Sequence, residues 1–200
     1  SNILMKNCVV MTIFHAMQFD NCPDLRLENN VWSRNLIQAY ILVNPPEAKA
    51  YVENNIFTDS VPHKATVLLF EVSRFESLRM KNNCYFLRMS DEERKMFAFY
   101  GGTGPEIFNA LLGRASLRAY EEQVGATTDS IFVNPDFAWM KRVEPLPEDA
   151  DPMKNYPGDQ VTRLFGGTLD FPDFFATNPE VVKRGIELIP KDFEDFHFNK

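Results

Sequence analysis

Residues 8–14 read CVVMTIF, an unbroken apolar run with Val, Thr, Ile and Phe. A strand covered on both faces has this composition, because neither face has to meet water. The run is therefore read as a central strand. ATVLLFEV at 65–72 has the same character. Ser130–Val133 and Trp139–Val143, parted by Asn134-Pro135-Asp136, read as a strand interrupted by a turn or bulge.

Helices are signalled between these runs. Ser90 precedes DEERKMFAFY with Glu93 three residues on, and Thr103 precedes GPEIFNALL with Glu106 three residues on. Both patterns are capping boxes, in which two side chains satisfy the free amides of a first helical turn. From Glu106 the apolar positions Ile107, Leu111, Leu117, Tyr120 and Val124 follow a helical face, and Gly125 stands where a left-handed C-terminal cap is needed. The spacing predicts a helix of about five turns there. Shorter helices are expected over Leu36–Val43 and Pro46–Glu53. No internal repeat stands out.

The expected fold is α+β, a central mixed or antiparallel sheet flanked by helices, with a C-terminal aromatic-rich arm docked on it. The chain of 200 residues reads as a single domain: a main body over 1–144, an exposed acidic and proline-rich connector over 145–160, and an arm over 161–200. Phenylalanine occurs 18 times, so the core should be rich in ring contacts. The arm segments LDFPDFF and KDFEDFHF alternate rings with acids, a pattern that suits docking onto the chain's own sheet or onto a basic, apolar partner.

A net charge of −7 repels phosphate backbones, so no nucleic-acid partner is expected. Cys8, Cys22 and Cys84 are far apart and form no metal-ligand spacing, which reads as three reduced thiols and no metal site. The start, SNILMKNCVVMTIFHAM, carries no secretory or membrane address, and a cytoplasmic setting, in the protein's own cell or a host's, is expected.

The order of elements is more specific. A strand ending in His15 (TIFHA) is followed by WSRNLIQAY, then LLFEV, then DSIFVNPDFAWMKRV. This order resembles the His-Tyr-Glu branch of the ADP-ribosyltransferases, with diphtheria-toxin-like and poly(ADP-ribose) polymerase catalytic domains, over residues 10–144. The resemblance implies NAD as cofactor, held by His15, Ser33 and Tyr40, and a catalytic set of His15, Tyr40 and Asp129. In this chain Ala16 follows the histidine where the family has Gly, and Asp129 stands where it has Glu. A carboxylate beside the ribose would stabilise the oxocarbenium-like charge left when nicotinamide departs, while an aromatic ring holds nicotinamide by stacking.

A different class of function fits the same composition: a non-enzymatic acidic interaction or inhibitor protein that engages a protein partner by charge and exposed rings. Gly101-Gly102-Thr103-Gly104 is a glycine-rich turn that could also cradle an anion, and Glu121 and Glu122 form a carboxylate pair on a helix face that points to solvent.

Overall fold

The computed structural model describes residues 2–11, 17–33, 39–43, 47–58, 68–72, 75–86, 97–101, 109–142 and 170–189. Its plan follows from one recurrent corner. Asn7, Asn29, Asn54 and Asn82 have φ between 50° and 60°, the left-handed region that Asn tolerates better than other non-glycine residues. Each corner turns the chain from one short strand into the next, and each is followed by Cys8, Asn30, Asn55 or Asn83.

The strands before the corners, β1 (Ile3–Lys6), β4 (Asp24–Glu28), β7 (Lys49–Glu53) and β10 (Leu78–Lys81), stack in that order as a parallel sheet. Those after the corners, β2 (Val9–Met11), β5 (Val31–Ser33), β8 (Ile56–Thr58) and β11 (Cys84–Phe86), form a second parallel sheet. A third holds β3 (Gln18–Asp20), β6 (Ala39–Val43), β9 (Leu68–Val72) and β12 (Phe97–Gly101) in parallel, and closes with the antiparallel β13 (Asn109–Ala115). Successive strands therefore belong to different sheets. Strands one full turn apart pair with each other, which is the plan of a parallel β-solenoid.

This overturns the expected mixed or antiparallel sheet flanked by helices. The helices expected over Leu36–Val43 and Pro46–Glu53 are strands at β6 and β7. In KAYVE, Ala50 and Val52 are buried while Lys49, Tyr51 and Glu53 point outward, a period of two instead of 3.6. The five-turn helix shrinks to α1 (Leu117–Val124), preceded by β13. Its N-cap is Ser116, whose hydroxyl accepts from the Ala119 amide, and Gly125 caps its C-terminus at φ 69°. The central strand shortens to Val9–Met11 among described residues, and Trp139–Lys141 is a 3-10 turn. Residues 90–96, 103–106 and 166–168 lie outside the described residues. An internal repeat does exist, carried by the paired corner residues, at intervals that lengthen from 22 to 25 to 28 residues.

The interior is built in layers. Inward rows Ile3–Leu25–Ala50–Leu78 and Met5–Leu27–Val52–Met80 line the first sheet. On the second sheet Trp32, Phe57 and Tyr85 stack at centroid distances of 6.0 and 5.4 Å, and Phe132 extends the stack 5.5 Å from Tyr85. Behind the corner runs a buried amide ladder. The Cys8 amide donates to Asn30 Oδ1, the Asn30 amide to Asn55 Oδ1, the Asn55 amide to Asn83 Oδ1 and the Asn83 amide to Ser130 Oγ, all at 2.9–3.1 Å. Each Asn Nδ2 returns a hydrogen bond to the previous turn: Asn30 to Met5 O, Asn55 to Leu27 O and Asn83 to Val52 O.

The solenoid is closed after its fourth turn by three devices, which matters because an open sheet edge templates aggregation. β13 covers the third sheet. A partial fifth turn continues the second, where Ile131 bridges Cys84 in parallel and Asp129 takes the corner at φ 54°. At the first sheet α1 replaces a strand, and the Tyr120 hydroxyl donates to the Leu78 carbonyl at 2.7 Å. Tyr120→Phe leaves that buried carbonyl without its donor and is expected to lower stability by about 1–3 kcal/mol in urea unfolding. An unchanged midpoint would show that the hydroxyl does not hold the edge.

The outer face of the second sheet, Val9, Val31, Ile56, Cys84 and Ile131, is covered by Phe137, Trp139, Phe174, Val181, Ile186 and Leu188. A strap over Arg184–Ile189 then runs along the corner. The Asn82 amide side chain donates to Arg184 O, Asn29 to Gly185 O and Glu187 O, and Asn7 to Ile189 O, while the Ile189 amide donates back to Asn7 Oδ1. Among the described residues no helix is long and apolar enough to cross a membrane.

Candidate functional site

Of the residues expected to form an NAD site, the two with described side chains, Ser33 and Asp129, do not share a cleft. His15 lies outside the described residues. Ser33 ends β5, fully buried, with a hydroxyl that makes no hydrogen bond. Tyr40 is in β6 of the third sheet, in register with Gln18 and Leu69. Asp129 is exposed at the fifth corner, where its carboxylate accepts from Thr127 Oγ1 and its carbonyl from Arg184 Nη1. Ser33 and Asp129 stand three turns apart, about 14 Å along the stacking direction at about 4.8 Å per strand. Glu121 accepts from both the Thr128 amide and hydroxyl, and Glu122 pairs with Arg118, so both carboxylates serve the cap. Cys84 is buried against the arm, and burial pushes its thiol up to about 12, far from a reactive thiolate. Among the described residues no group of three or more His, Cys, Asp or Glu side chains is placed to hold a metal.

The outer face of the first sheet is built differently. Strand alternation sends one row, Leu4–Arg26–Tyr51–Arg79, and a second, Lys6–Glu28–Glu53–Lys81, outward in register, with Asp24 opposite Lys49 beside them. Leu4 is 60% exposed, and the Arg26 and Arg79 side chains are 48% and 58% exposed. The Arg26 guanidinium lies 4.8 Å from the Tyr51 ring centroid and 3.2 Å from Asp24, and Arg79 Nε is 3.1 Å from Glu53. The second row reads plus, minus, minus, plus. Its one like-charge contact, Glu28 beside Glu53, is relieved by Lys6, Lys81 and Arg79 around it.

Charge on this face runs against the rest of the chain. Lys6, Arg26, Lys49, Arg79 and Lys81 outnumber Asp24, Glu28 and Glu53, a net of +2, which leaves −9 on the remainder of a chain whose total is −7. The exposed ion pairs on it are worth about 0–1 kcal/mol each, so a competing carboxylate can exchange into them. Sequence reasoning missed these residues. The signal was the alternation in LRLE, KAYVE and LRMK, segments too short to be read as strands alone, the second of them inside an expected helix.

At the edge of this face, between β10 and α1, is a groove of about 420 Å³. Arg79 and Lys81 belong to both face and groove, and Leu78, Met80, Tyr120 and Val124 supply its apolar lining. A second cavity of about 320 Å³, lined by Glu53, Asn54, Lys81, Asn82 and Asp129, adjoins it around the corner. Compared with family models, curated proteins and solved structures, the chain matches none of them.

Proposed function

We propose that the protein is a non-enzymatic interaction module that engages a protein partner through an acidic linear segment laid on the outer face of its first sheet. The carrying observation is the uncovered row Leu4–Arg26–Tyr51–Arg79, which sets two arginines about a tyrosine on a locally positive surface of an acidic chain. Arg and Tyr dominate binding hot spots, and the guanidinium fork matches a carboxylate. Size decides the kind of partner. Four strands at about 4.8 Å spacing and about 13 Å of strand length give a face of about 200–250 Å², well short of the about 800 Å² per partner of a standard globular interface. A linear segment needs less area.

The test is fluorescence anisotropy with a labelled oligoglutamate peptide at low and physiological salt. Binding should weaken with added salt, since exposed charges are screened over about 8–10 Å. The double variant Arg26→Glu/Arg79→Glu should bind at least about tenfold more weakly. Lys141→Glu/Lys183→Glu, which changes net charge equally at exposed positions away from the face, should bind like the original. Equal losses in the two variants would reduce the effect to net charge, and no binding by the unaltered protein would remove the proposal.

A further inference from the structure

We infer that the groove between β10 and α1 receives one aliphatic or aromatic side chain of that acidic segment, so that the ligand class is an acidic peptide with a single apolar anchor. The inference rests on the reading of the face as an acidic-peptide site. Three observations carry it. The groove opens directly off the face: Arg79 and Lys81 line both, and no other segment of the described chain comes between them. A peptide lying along the arginine row therefore reaches the groove at its β10 end.

Its lining is partly apolar where the face is charged, with Glu76, Thr127 and Thr128 among the apolar groups. Leu78, Met80 and Tyr120, almost wholly buried core residues, reach it at their edges, and Val124 and Ala126 line it beside them. The Tyr120 ring is held there by its hydroxyl bond to Leu78 O, and α1 is fixed by caps at both ends, so the cavity is preformed. At about 420 Å³ it lies within the about 300–1,000 Å³ range of small-ligand sites, with room for a large side chain.

The rim selects for acids flanking the anchor. The Lys81 ammonium forms no ion pair among the described residues and stands at the junction of the groove with the corner cavity, where Asn82 Nδ2 is held by Asn54 Oδ1 and Arg184 O, leaving Asn54 Nδ2 and Asn82 Oδ1 to meet a continuing main chain. Glu76 lines the groove as well, and Asp129 stands with Lys81 at its junction with the corner cavity, which disfavours a carboxylate inside the groove and leaves that space to an uncharged side chain.

The experiment compares two oligoglutamate peptides, one plain and one with a single central Phe, against the unaltered chain and against Ala126→Trp and Val124→Glu. Ala126 is exposed, so Ala126→Trp fills the groove without removing core; Val124 is half-buried and packs against the core, so Val124→Glu is read beside its own urea unfolding curve. The Phe peptide should bind the unaltered chain about 10–100-fold more tightly, the gain expected from burying a large apolar side chain. That gain should vanish in both variants, while the plain peptide binds Ala126→Trp as before and Val124→Glu only slightly more weakly, by the repulsion of one added carboxylate. Equal affinity for both peptides, with plain binding intact, overturns the anchor and leaves the charged face standing. A gain that persists in both variants places the anchor elsewhere and also overturns it. Failure of both peptides to bind the unaltered chain removes the face reading itself.

Discussion

Asn55→Ala should lower the unfolding free energy by about 2–6 kcal/mol, because two buried main-chain groups lose partners at about 1–3 kcal/mol each. In the native chain Asn55 Oδ1 accepts from the Asn30 amide at 3.1 Å and from Asn30 Nδ2 at 3.0 Å, while its own Nδ2 donates to Leu27 O at 2.7 Å. Alanine supplies neither function, and the site, fully buried, admits no bulk water to replace them. Asn55→Ser should recover part of the loss. At the end of the ladder the Ser130 hydroxyl already accepts from the Asn83 amide at 3.1 Å, so a serine can keep the acceptor while losing the donor. Urea unfolding followed by far-ultraviolet circular dichroism measures both variants. A loss under about 0.5 kcal/mol for the alanine would show that the ladder contributes no more than an ordinary surface position.

Phe57→Ala is expected to cost about 3–5 kcal/mol, the usual range for emptying a large buried aromatic position. Phe57 is the middle ring of the stack, 6.0 Å from Trp32 and 5.4 Å from Tyr85, and it is fully buried. Removing it leaves a cavity bordered by two neighbouring turns, which rigid in-register strands above and below cannot close. The change should also appear in Trp32 emission, because the indole loses the ring against which it packs. Phe57→Leu retains much of the volume and should cost less. If Phe57→Ala unfolds at the same urea concentration as the original chain, the stack does not organise the second sheet. Both substitutions sit on the third turn, and in a stacked repeat a weakened interface between neighbours is felt by the whole array.

The two variants separate the forces that align the turns. The stack fills space and tolerates any large apolar shape; the ladder demands one amide at one position in each turn. The corner Asn supplies the left-handed turn, and the buried Asn behind it fixes the spacing of turn upon turn. Little in an isolated turn calls for the second of these residues, since most of its partners belong to the turn before and the turn after; within its own turn Asn55 Nδ2 reaches only Glu53 O.

That division explains what could be read from the residues. Gly125 and the apolar face of Leu117, Tyr120 and Val124 were legible because a helix end and a helix face are local, set within a few residues. The corner asparagines were not read as a repeat. Their repetition was obscured by unequal intervals of 22, 25 and 28 residues, because strand and connector lengths differ from turn to turn. Ala39–Val43 and Lys49–Glu53 read as helices because five residues hold hardly more than one turn of either period, and prolines ahead of the second suggested a helix start. The candidate site was hidden for the same reason. Arg26, Tyr51 and Arg79 are about 25 residues apart along the chain, and only the register Arg26–Tyr51–Arg79 across neighbouring strands makes them one row. Asp129, expected to be a catalytic acid, proves to be the fifth corner, a role that its own neighbours could not reveal.

By itself, then, the sequence determined that Gly125 ends one helix and that apolar residues suffice for a continuous core; the Ser116 cap and the asparagine corners came from the structure. The apolar runs at 8–14 and 65–72 read as strands and hold β2 and β9, but tertiary structure alone decided that the other segments between the corners are strands and which residues meet on their outer face. The physical reason is that a three- to five-residue parallel strand has no hydrogen bonds of its own; every one comes from the turn above or below, so its conformation and its register exist only once the turns are stacked.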